Sequence, residues 1–343
     1  MFYKITINHM NKKIFTILAS LSIFMTIFTV STTATNLTSA KIDEESNYNI
    51  CSDDFYFVQI TDPHVMHKLF DKGKNQHKFK TVIENVNSFS NKPAFVVITG
   101  DLVEWGSGLF GILNFKAFLE CLYKKDGQLY ADESYSIPVY TIPGNHDYRW
   151  FNTLVNYHRL IDQNHVLEDD RYVITYENLS LFFMDAGHDY ILKPRDWINV
   201  MGSGLTYWFD ILWLEDALSN CNSPHKIVLM HYPAINWGKY DTFVRNKDIF
   251  IQVCEGYGVD LVLAGHTHAY RVFDKEKNFF PNNVLPLNCS LYSTLYVQTA
   301  ATKGGIFENS LTSENEDEGY YYRNITISGN DIWLNPCEQA IPN

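Results

Sequence analysis

The sequence is poor in basic residues. Its 343 residues include 27 Lys and Arg against 39 Asp and Glu, which gives a formal net charge of −12. Nucleic-acid binding needs clustered Lys and Arg to contact the phosphates, and no such cluster occurs, so no nucleic-acid polymer is expected as a partner. An anionic small molecule would have to be attracted by a local group rather than by the field of the whole chain.

Two metal-binding motifs are also missing, and cysteines are few. The chain has no Cys-x-x-Cys pair, which disfavours a thiolate zinc site, and no His-Glu-x-x-His, which argues against a zinc peptidase. Its six Cys are few but even in number, which fits disulfide bonds in an oxidising compartment. Because Cys51 and Cys337 flank the folded part, we single out a bridge between them. The alternative is that some cysteines are ordinary buried thiols.

Residues 1–34 have the composition of an export signal. Three lysines precede an uncharged apolar run, Ile14–Val30, which the small and polar Ser31–Ala34 follow. That order is typical of a secretory signal peptide. The run is also close to the lower length limit of a membrane-spanning helix, so an uncleaved signal anchor is the alternative. We expect a secreted or extracytoplasmic protein that contacts a membrane only through this segment, if it is retained.

The rest of the chain is predicted to consist of a linker and one domain. Residues 35–54 are polar and read as the linker, and residues 55–335 are predicted to form the domain. Hydrophobic residues make up 46% of the chain and charged residues 19%, as in a folded protein rather than a disordered one. Sequons give weak support for export and predict a glycoprotein. They lie at Asn36, Asn178, Asn288 and Asn324.

Short apolar runs alternate with amphipathic segments from residue 55 onward. The runs are rich in β-branched and aromatic residues, which predicts strands, whereas His77–Ser88 and Tyr207–Leu218 have apolar residues at helical spacing. Strands that alternate with helices predict a layered α/β fold. The predicted strands are Phe55–Ile60, Ala94–Ile98, Val139–Ile142, Leu181–Met184, Lys226–Met230 and Asp260–Ala264.

The C-terminal apolar runs follow one another without helices between them. Leu291–Thr299, Gly319–Ile327 and Asp331–Leu334 predict a second, more antiparallel sheet that closes the domain. The acidic stretch Ser313–Glu318 predicts a solvated loop.

Polar side chains follow five of the predicted strands at the point where each strand ends. They are Asp, Asn and His, without Lys or Arg, and ligand-binding groups of open α/β sheets gather at the carboxyl ends of strands. A single Asp-x-His or Gly-Asp is most often a turn, but five such groups in this order predict a metal site. The groups are Asp62-Pro63-His64, Gly100-Asp101, Gly144-Asn145-His146-Asp147, His231 and Gly265-His266-Thr267-His268.

This series resembles the motifs of the calcineurin-like metallophosphoesterase superfamily, over residues 55–270 and on toward residue 335. The resemblance implies a four-layer α/β/β/α sandwich, in which two mixed sheets are flanked by helices. It also implies two metal ions at the carboxyl edges of the sheets, with one shared ligand, Asp101. One ion would take Asp62, His64, Asp101 and His268, and the other Asp101, Asn145, His231 and His266.

The chemistry of these residues agrees with that assignment. Carboxylate, amide and imidazole ligands without thiolate suit divalent or trivalent Mn, Fe or Zn. A shared anion offsets the repulsion between two neighbouring cations, and a hydroxide that bridges them becomes the nucleophile. We therefore expect hydrolysis of a phosphodiester or phosphomonoester, carried by a small molecule or a lipid.

His146 stands beside a predicted ligand without being needed as one. The resemblance implies that it faces the leaving-group oxygen as a general acid or transition-state donor. A ring in that role needs a carboxylate to fix its tautomer. Glu104, three residues after Asp101, is the favoured partner, and Asp147 is the neighbouring alternative.

Two departures narrow the resemblance. Purple acid phosphatases have a Tyr ligand at the position of Glu104, so an iron–tyrosinate site is not expected. Protein phosphatases of the superfamily have a phosphate-binding Arg at the position of Trp105, so Ser/Thr phosphatase activity is not expected. With these two branches set aside, the sequence is similar to the exported or cyclic-nucleotide-phosphodiesterase-like branch, and less closely to the acid-sphingomyelinase-like branch. The missing Arg favours a diester.

Several other residues are assigned by their position relative to the motifs. Those that follow motif residues are candidates for lining a pocket that suits a base or an apolar leaving group, although many are expected to be core residues. These are Trp105, Tyr148, Trp150, His188, Tyr232, Trp237 and Tyr270. Histidines without a partner motif are expected on the surface or on helices; they are His67, His77, His158, His165 and His225.

A non-catalytic protein with the same fold, serving as a binding module of the cell envelope, is the alternative function. The intact set of predicted ligands argues against it, because sequence drift in a protein without activity is expected to replace His146 or a ligand first.

Overall fold

The computed structural model of the chain describes residues 54–122, 137–148, 154–161, 171–186, 210–237, 242, 245–304 and 319–342. These residues belong to one unit, Cys51–Asn343. The predicted signal segment, nearly all of the predicted linker and the acidic stretch 313–318 lie outside them. Among the described residues, no helix combines the length and the apolar character that crossing a membrane requires.

The first of two sheets contains the strands that carry the N-terminal motifs. Its strands are β1 (Phe55–Ile60), β2 (Val96–Thr99), β3 (Val139–Ile142), β9 (Leu287–Asn288), β11 (Tyr321–Ser328) and β12 (Asp331–Gln339). They lie in the order β3-β2-β1-β11-β12-β9. The neighbours β1, β2 and β3 are parallel and the other pairs are antiparallel, so the sheet is mixed.

The second sheet contains the strands that precede the C-terminal motifs. Its strands are β4 (Arg171–Tyr176), β5 (Leu179–Met184), β6 (His225–Leu229), β7 (Leu261–Ala264), β8 (Arg271–Phe273) and β10 (Leu295–Gln298). They lie in the order β4-β5-β6-β7-β10-β8. The four central strands are parallel and the two edge strands antiparallel, so this sheet is mixed as well.

Helices pack on both sheets, and side-chain alternation along the strands explains how. Val58 and Ile60 of β1 belong to one core cluster with Phe79 and Phe118 of two helices, whereas Phe57 belongs to the core shared with the second sheet. Alternate residues of a strand point to opposite faces, so β1 is buried on both. The helices are α1 (Lys68–Asp71), α2 (Lys74–Ser88), α3 (Gly108–Leu122), α4 (Asn145–Tyr148), α5 (Val155–Leu160), α6 (Leu212–Ser219) and α7 (Lys247–Gly256).

The predicted α/β/β/α architecture is confirmed: two mixed sheets are flanked by helices. The observed β1 and β3 coincide with their predicted bounds, and the other four predicted strands differ by at most two residues at either end, which is within the usual variation of strand ends. The predicted helix His77–Ser88 corresponds to α2, and the described part of Tyr207–Leu218 corresponds to α6, since residues 207–209 lie outside the described residues.

The predicted separate antiparallel sheet of C-terminal strands is wrong. Strand β10 pairs in parallel with β7 of the second sheet, whereas β11 pairs with β1 and β12 with β11 in the first. Only Leu295–Gln298 of the predicted strand Leu291–Thr299 is extended. The C-terminal strands thereby cover the open sides of β1 and β7, whose backbone groups would otherwise lack partners.

A buried polar junction ties the two sheets together beside the motif-bearing strand ends. Gln59 donates to Thr99 Oγ1 at 3.0 Å and to the carbonyl of Ala264 at 3.4 Å. Its Oε1 accepts from the hydroxyl of Thr299 at 2.8 Å, and the buried Arg323 donates to that same hydroxyl oxygen at 3.2 Å. Because Ala264 ends β7 and Thr299 follows β10 of the second sheet, this network sets the position of one sheet edge against the other.

The described residues do not show the predicted disulfide between Cys51 and Cys337. The five cysteines within the described residues have free thiols. Cys337 instead accepts a hydrogen bond from Arg323 Nη2 at 3.1 Å, and Cys51 lies outside the described residues. The alternative, ordinary buried thiols, is confirmed for three cysteines. Burial raises the pKa of Cys121 and of Cys289 to about 12. The buried thiols are Cys121, Cys254 and Cys289.

Of the four histidines without a motif that the structure describes, three are placed as predicted and one is not. His77 and His158 lie on α2 and α5, and His67 caps the N-terminus of α1. His225, predicted at the surface or on a helix, instead begins strand β6 and is only 3% exposed. His165 lies outside the described residues.

Three of the four sequons can be placed on the fold. Asn178 lies in the turn between β4 and β5, whereas Asn288 and Asn324 lie within β9 and β11. The side-chain amide of each donates a hydrogen bond to a neighbouring group. Asn36 lies outside the described residues, and glycosylation stays a prediction.

Candidate metal centre

The motif loops converge where the carboxyl ends of strands from both sheets meet. The N–H of Asp62 donates to the carbonyl of Gly100 at 3.2 Å, and the N–H of His64 donates to the carbonyl of Asp101 at 2.9 Å. The Asp62 carboxylate reaches across to the second sheet and accepts from the N–H of His266 at 2.9 Å. Loops that are far apart in sequence therefore share one site, as expected for parallel strand ends.

One cluster of donor atoms joins Asp62, His64 and His268. Nε2 of His268 lies 3.3 Å from Asp62 Oδ1 and 3.3 Å from Nε2 of His64. Nε2 of His64 lies 3.7 Å from the same Asp62 oxygen. The three donor atoms lie within 4.8 Å of one another, which is close enough for all of them to reach a single ion.

A second cluster joins Asn145, His231 and His266. Oδ1 of Asn145 lies 3.0 Å from His231 Nε2 and 3.2 Å from His266 Nδ1. His266 therefore presents Nδ1 to the cluster, whereas His231 presents Nε2.

Asp101 lies between the two clusters. Its Oδ2 is 3.2 Å from His64 Nε2 and 3.3 Å from His231 Nε2. Its Oδ1 accepts a hydrogen bond from the N–H of His146 at 2.8 Å. One carboxylate oxygen thus faces donor atoms of both clusters, which is what a ligand shared by two ions requires.

The donor set fits a pair of metal ions. The predicted ligands present oxygen and nitrogen without sulfur, as divalent and trivalent first-row ions accept. Five of the seven are buried and the other two, His266 and His268, are half-buried. Oδ1 of Asp62 is buried without a hydrogen-bond partner in the described part of the chain. A buried carboxylate oxygen in that state is destabilising, and a bound cation would relieve it.

Five predicted ligands have a left-handed backbone. Their φ values are +50° at Asp62, +44° at His64, +51° at Asp101, +68° at His266 and +57° at His268. This conformation costs a residue other than glycine about 1 kcal/mol or more. These residues are half of the ten non-glycine residues with positive φ in the described chain, so backbone strain is concentrated at this site.

Gly265 is needed for space rather than for a tight bend. A tight glycine bend at this position would let His266 and His268 both face inward, but the φ of Gly265 is not among the positive ones. A Cβ at this position would lie 1.9 Å from Thr61 Oγ1 and 2.5 Å from Asp62 Oδ2. The absence of a side chain therefore lets the His266 loop approach the Asp62 carboxylate.

The electrostatics of the site favour added positive charge. Burial opposes ionisation of Asp101, but the surrounding imidazoles hold its pKa well below the usual value. Burial also opposes protonation of His231, yet Asp101 raises its pKa to about 10. Burial and the neighbouring His231 lower the pKa of His266 to about 3. Ionised carboxylates and neutral imidazoles are the forms that bind metal ions, so His231 would release its proton to the solvent when an ion binds.

Glu104 contacts the rings of both His64 and His146. Its Oε2 lies 2.8 Å from His64 Nδ1, and its Oε1 lies 3.3 Å from His146 Nδ1. His146 Nδ1 is also 3.0 Å from the Glu104 carbonyl oxygen. Each ring therefore donates its Nδ1–H to Glu104 and turns Nε2 toward Asp101 Oδ2, at 3.2 Å and 3.9 Å.

Asp147, the alternative partner of His146, supports the loops instead. It is fully buried, and within the described residues its carboxylate accepts from the N–H groups of Leu102 at 3.2 Å, Val103 at 3.2 Å and Gly144 at 2.8 Å. Burial and the charge of Asp101 raise its pKa to about 7. The geometry therefore favours Glu104 over Asp147 as the residue that orients His146.

The aromatic candidates have different surroundings. Tyr232 is buried, and its ring packs 4.2 Å from the ring of His266, so it forms part of the wall of the site. Trp237 is 46% exposed and stacks with Arg271 at 5.0 Å. Trp105, Tyr148 and Tyr270 are half-buried, and Trp150 and His188 lie outside the described residues.

Two residues beside the site were not predicted. Oγ1 of Thr61 lies 2.7 Å from Asp62 Oδ2, and Nζ of Lys303 lies 3.7 Å from Glu104 Oε2. Lys303 follows β10, a parallel neighbour of β7, so this strand ends at the same edge as the motif strands. Assigning β10 to a separate antiparallel sheet hid that relation.

Comparisons with known proteins agree with this geometry. The model of the family described as calcineurin-like phosphoesterase matches residues 55–270. A probable glycerophosphodiester phosphodiesterase, GpdQ of Arcobacter nitrofigilis, is 25% identical over 224 residues, which are 62% of this chain and 71% of the relative. The solved structure of purple acid phosphatase PPD1 from yellow lupin has a TM-score of 0.56 at 14% identity, over 84% of this chain. The match covers 52% of the lupin chain, and at this identity it shows the fold alone.

Proposed function

Because the chain belongs to the calcineurin-like phosphoesterase family, whose model covers residues 55–270, we propose that it is an exported enzyme that uses two metal ions to hydrolyse a phosphodiester. Family membership makes it a metal-dependent phosphoester hydrolase. The proposal adds the number of ions, the class of ester and the location.

The position of Asp101 Oδ2 is the observation that supports two ions. This oxygen lies 3.2 Å from a ring nitrogen of one cluster and 3.3 Å from a ring nitrogen of the other. Asp62, His64 and His268 would hold one ion, and the other would lie among Asn145, His231 and His266. Two bound ions would supply Lewis-acid chemistry, activating water and neutralising charge on the phosphoryl oxygens.

His146 is the protein group proposed to act on the leaving group. Its Nε2 points toward the metal centre, 3.9 Å from Asp101 Oδ2, and its Nδ1 is held by Glu104. A ring held in this way offers a proton at Nε2 to the departing oxygen of the ester. His146 is 17% exposed, so a substrate can reach it.

Two observations support a diester. Trp105 occupies the position at which some monoesterases of the superfamily, the protein phosphatases, have a phosphate-binding Arg. The relative from Arcobacter nitrofigilis is named for phosphodiester hydrolysis. A diester has one ionisable oxygen fewer than a monoester and needs less positive charge around it. The substrate is proposed to be a small molecule or a lipid, with monoesters as poorer substrates.

The order of lysines, apolar residues and small residues in 1–34 supports export. The proposed location is secreted or extracytoplasmic, and the only membrane contact is through residues 14–30 if they are retained.

Hydrolysis of p-nitrophenyl esters by purified protein tests the activity. Protein loaded with Mn, Fe or Zn is expected to hydrolyse bis(p-nitrophenyl) phosphate faster than p-nitrophenyl phosphate, and to lose activity with a chelator. His146→Ala is expected to lower kcat by about 100-fold or more. His77→Ala on helix α2 is the control and should keep full activity.

The outcomes separate the alternatives. If wild type and His146→Ala are equally inactive with every metal and both esters, the chain is a non-catalytic binding module. If the monoester is hydrolysed faster, the diester assignment is wrong while the enzyme class stands.

A further inference from the structure

The segment that follows β10 returns to the metal centre and is anchored there through its backbone. The N–H of Thr302 donates to the carbonyl of Thr61 at 3.0 Å, and the N–H of Lys303 donates to the carbonyl of Asp62 at 3.3 Å. The carbonyl of Thr302 accepts from the N–H of Tyr320 at 2.8 Å. These bonds hold the backbone of Lys303 against a predicted ligand residue, so its side chain starts from a fixed position.

The Lys303 side chain extends to Glu104. Its ammonium nitrogen lies 3.7 Å from Glu104 Oε2, and the two side chains are 24% and 19% exposed. At this degree of burial an ion pair is screened less than on an open surface. The same carboxylate oxygen lies 2.8 Å from His64 Nδ1, and the other faces His146 Nδ1 at 3.3 Å.

Within the described residues, the two carboxylate oxygens of Glu104 face three charged or polar side chains, those of Lys303, His64 and His146. Lys303 and His64 share Oε2, which leaves Oε1 turned toward His146. A glutamate side chain has several rotatable bonds, so its carboxylate can turn relative to the two imidazoles. A cation fixed to the Asp62 loop removes that freedom, because it holds Oε2 on one side.

We propose that Lys303 is a positioning residue for the reaction. It orients the Glu104 carboxylate so that the rings of His64 and His146 both keep Nδ1–H on Glu104 and Nε2 toward the metal centre. This role rests on the proposed function, since it is through His146 that Lys303 affects the departing oxygen. Lys303 itself does not contact the substrate.

Kinetics of Lys303→Met and Lys303→Arg test the role in the metal-loaded enzyme. With bis(p-nitrophenyl) phosphate, Lys303→Met is expected to lower kcat by about tenfold or more, with KM changed by less than about twofold, as for other residues that act through a ligand partner. Lys303→Arg keeps the cation and is expected to restore most of the loss. Lys80→Met is the control, because Lys80 is 47% exposed and pairs with Glu84.

Two further measurements decide between positioning and substrate binding. In a Glu104→Gln background, Lys303→Met is expected to have no additional effect on kcat. A rise in KM with unchanged kcat, or an equal loss in both backgrounds, would mean that Lys303 binds the substrate and would overturn the proposal.

A spectroscopic measurement tests the contact without any turnover. In zinc-loaded protein labelled with ¹⁵N-histidine, the Nδ1–H signal of His146 is expected to be sharp in wild type and Lys303→Arg, and to broaden or vanish in Lys303→Met. An unchanged signal in Lys303→Met would overturn the proposal even if the enzyme were inactive. A lost signal in an inactive protein would keep the positioning role and reject only the proposed activity.

Discussion

At the scale of single residues, the metal centre is held in backbone conformations that its residues disfavour. Asp62, His64, Asp101, His266 and His268 all have positive φ. Strain of this kind persists only where surrounding contacts impose it, and here the cross-loop hydrogen bonds of Asp62 and His64 do so. This strain lowers the free energy of unfolding. The contacts that impose it hold the ligand atoms close to one another.

Replacing a strained ligand with glycine should reveal this strain. His268 has a φ of +57° and is 23% exposed. Without metal, His268→Gly is expected to be more stable than His268→Ala by about 1 kcal/mol, because glycine tolerates the left-handed region. Urea unfolding of both variants measures the difference.

A helical histidine provides the control for that comparison. At His77 on α2, the order should reverse, with glycine less stable than alanine by about 1 kcal/mol. If glycine is also less stable than alanine at 268, the backbone there is not strained.

The close approach of the Gly265 backbone to Thr61 and Asp62 gives a second prediction. A Cβ there would meet Thr61 Oγ1 at 1.9 Å and Asp62 Oδ2 at 2.5 Å, and Thr61 is fully buried. Gly265→Ala is therefore expected to displace the Asp62 carboxylate, destabilise the fold by about 1–3 kcal/mol and weaken metal binding. Urea unfolding and metal titration measure the two effects.

The control for Gly265 is Gly256, at the end of α7, where an added Cβ meets nothing within 4 Å. Gly256→Ala is expected to leave metal binding unchanged and to be neutral or slightly stabilising. Equal behaviour of the two alanine variants would show that space at Gly265 is not limiting.

At the scale of elements, the chemistry lies at strand ends and the strands are held by polar contacts. Gln59 of β1 and Arg323 of β11 are fully buried and meet at the hydroxyl of Thr299. Strand β6 is held at its start by His225, whose Nε2 lies 3.2 Å from the carbonyl of Gly329. These contacts join β6 and β10 of the second sheet to the hairpin of β11 and β12 in the first.

His225 makes stability depend on pH. Burial alone would lower its pKa, but Asp260 and the Gly329 carbonyl together raise it above the usual 6.5. The protonated ring therefore stabilises the folded state fully below about pH 6.5, and this contribution is lost as pH rises through the raised pKa. The free energy of unfolding of wild type minus that of His225→Asn should be larger at about pH 6 than at about pH 9.

Asp260→Asn provides the matched variant, because it removes the carboxylate 3.9 Å from His225 Nδ1. It should reduce the same pH dependence. A difference between wild type and His225→Asn that does not change with pH would mean that His225 is equally protonated in the folded and unfolded states.

Sequence patterns predicted the elements better than their partners. Runs such as Phe55–Ile60 and Val139–Ile142 have the observed strand bounds because burial on both faces demands continuous apolar residues. The pattern around Leu295–Gln298 is the same for a strand of either sheet, so it did not reveal that β10 lies beside β7. Pairing depends on long-range packing that local periodicity does not encode.

The same distinction holds within the site. The seven candidate ligands lie in short motifs after strands, their roles were implied by the family resemblance of those motifs, and the structure brings them together. The roles of Gly265, Asp147 and Lys303 depend on which loops touch across the sheets. No motif in the sequence carries that information.

At the scale of the whole molecule, an acidic chain must bind an anionic ester. The net charge of −12 repels phosphate at long range, so the attraction must come from the metal centre itself. Metal ions that bind only the folded state should also stabilise it. At a free metal concentration of 100 times Kd, the free energy of unfolding is expected to rise by about 2.7 kcal/mol for each ion.

Chelator-treated and metal-saturated protein should therefore unfold at different urea concentrations, and Asp101→Asn should remove most of the difference, because Asp101 lies between both clusters. Equal stability with and without metal would contradict tight metal binding.

The number of metal ions bound per chain tests the central claim most directly. Equilibrium dialysis followed by metal analysis should find two ions per wild-type chain. His268→Ala and His231→Ala, which each remove a ligand from a different cluster, should each retain one ion. One ion or none in the wild type, or loss of both ions in each single variant, would contradict a site built from two clusters that share Asp101.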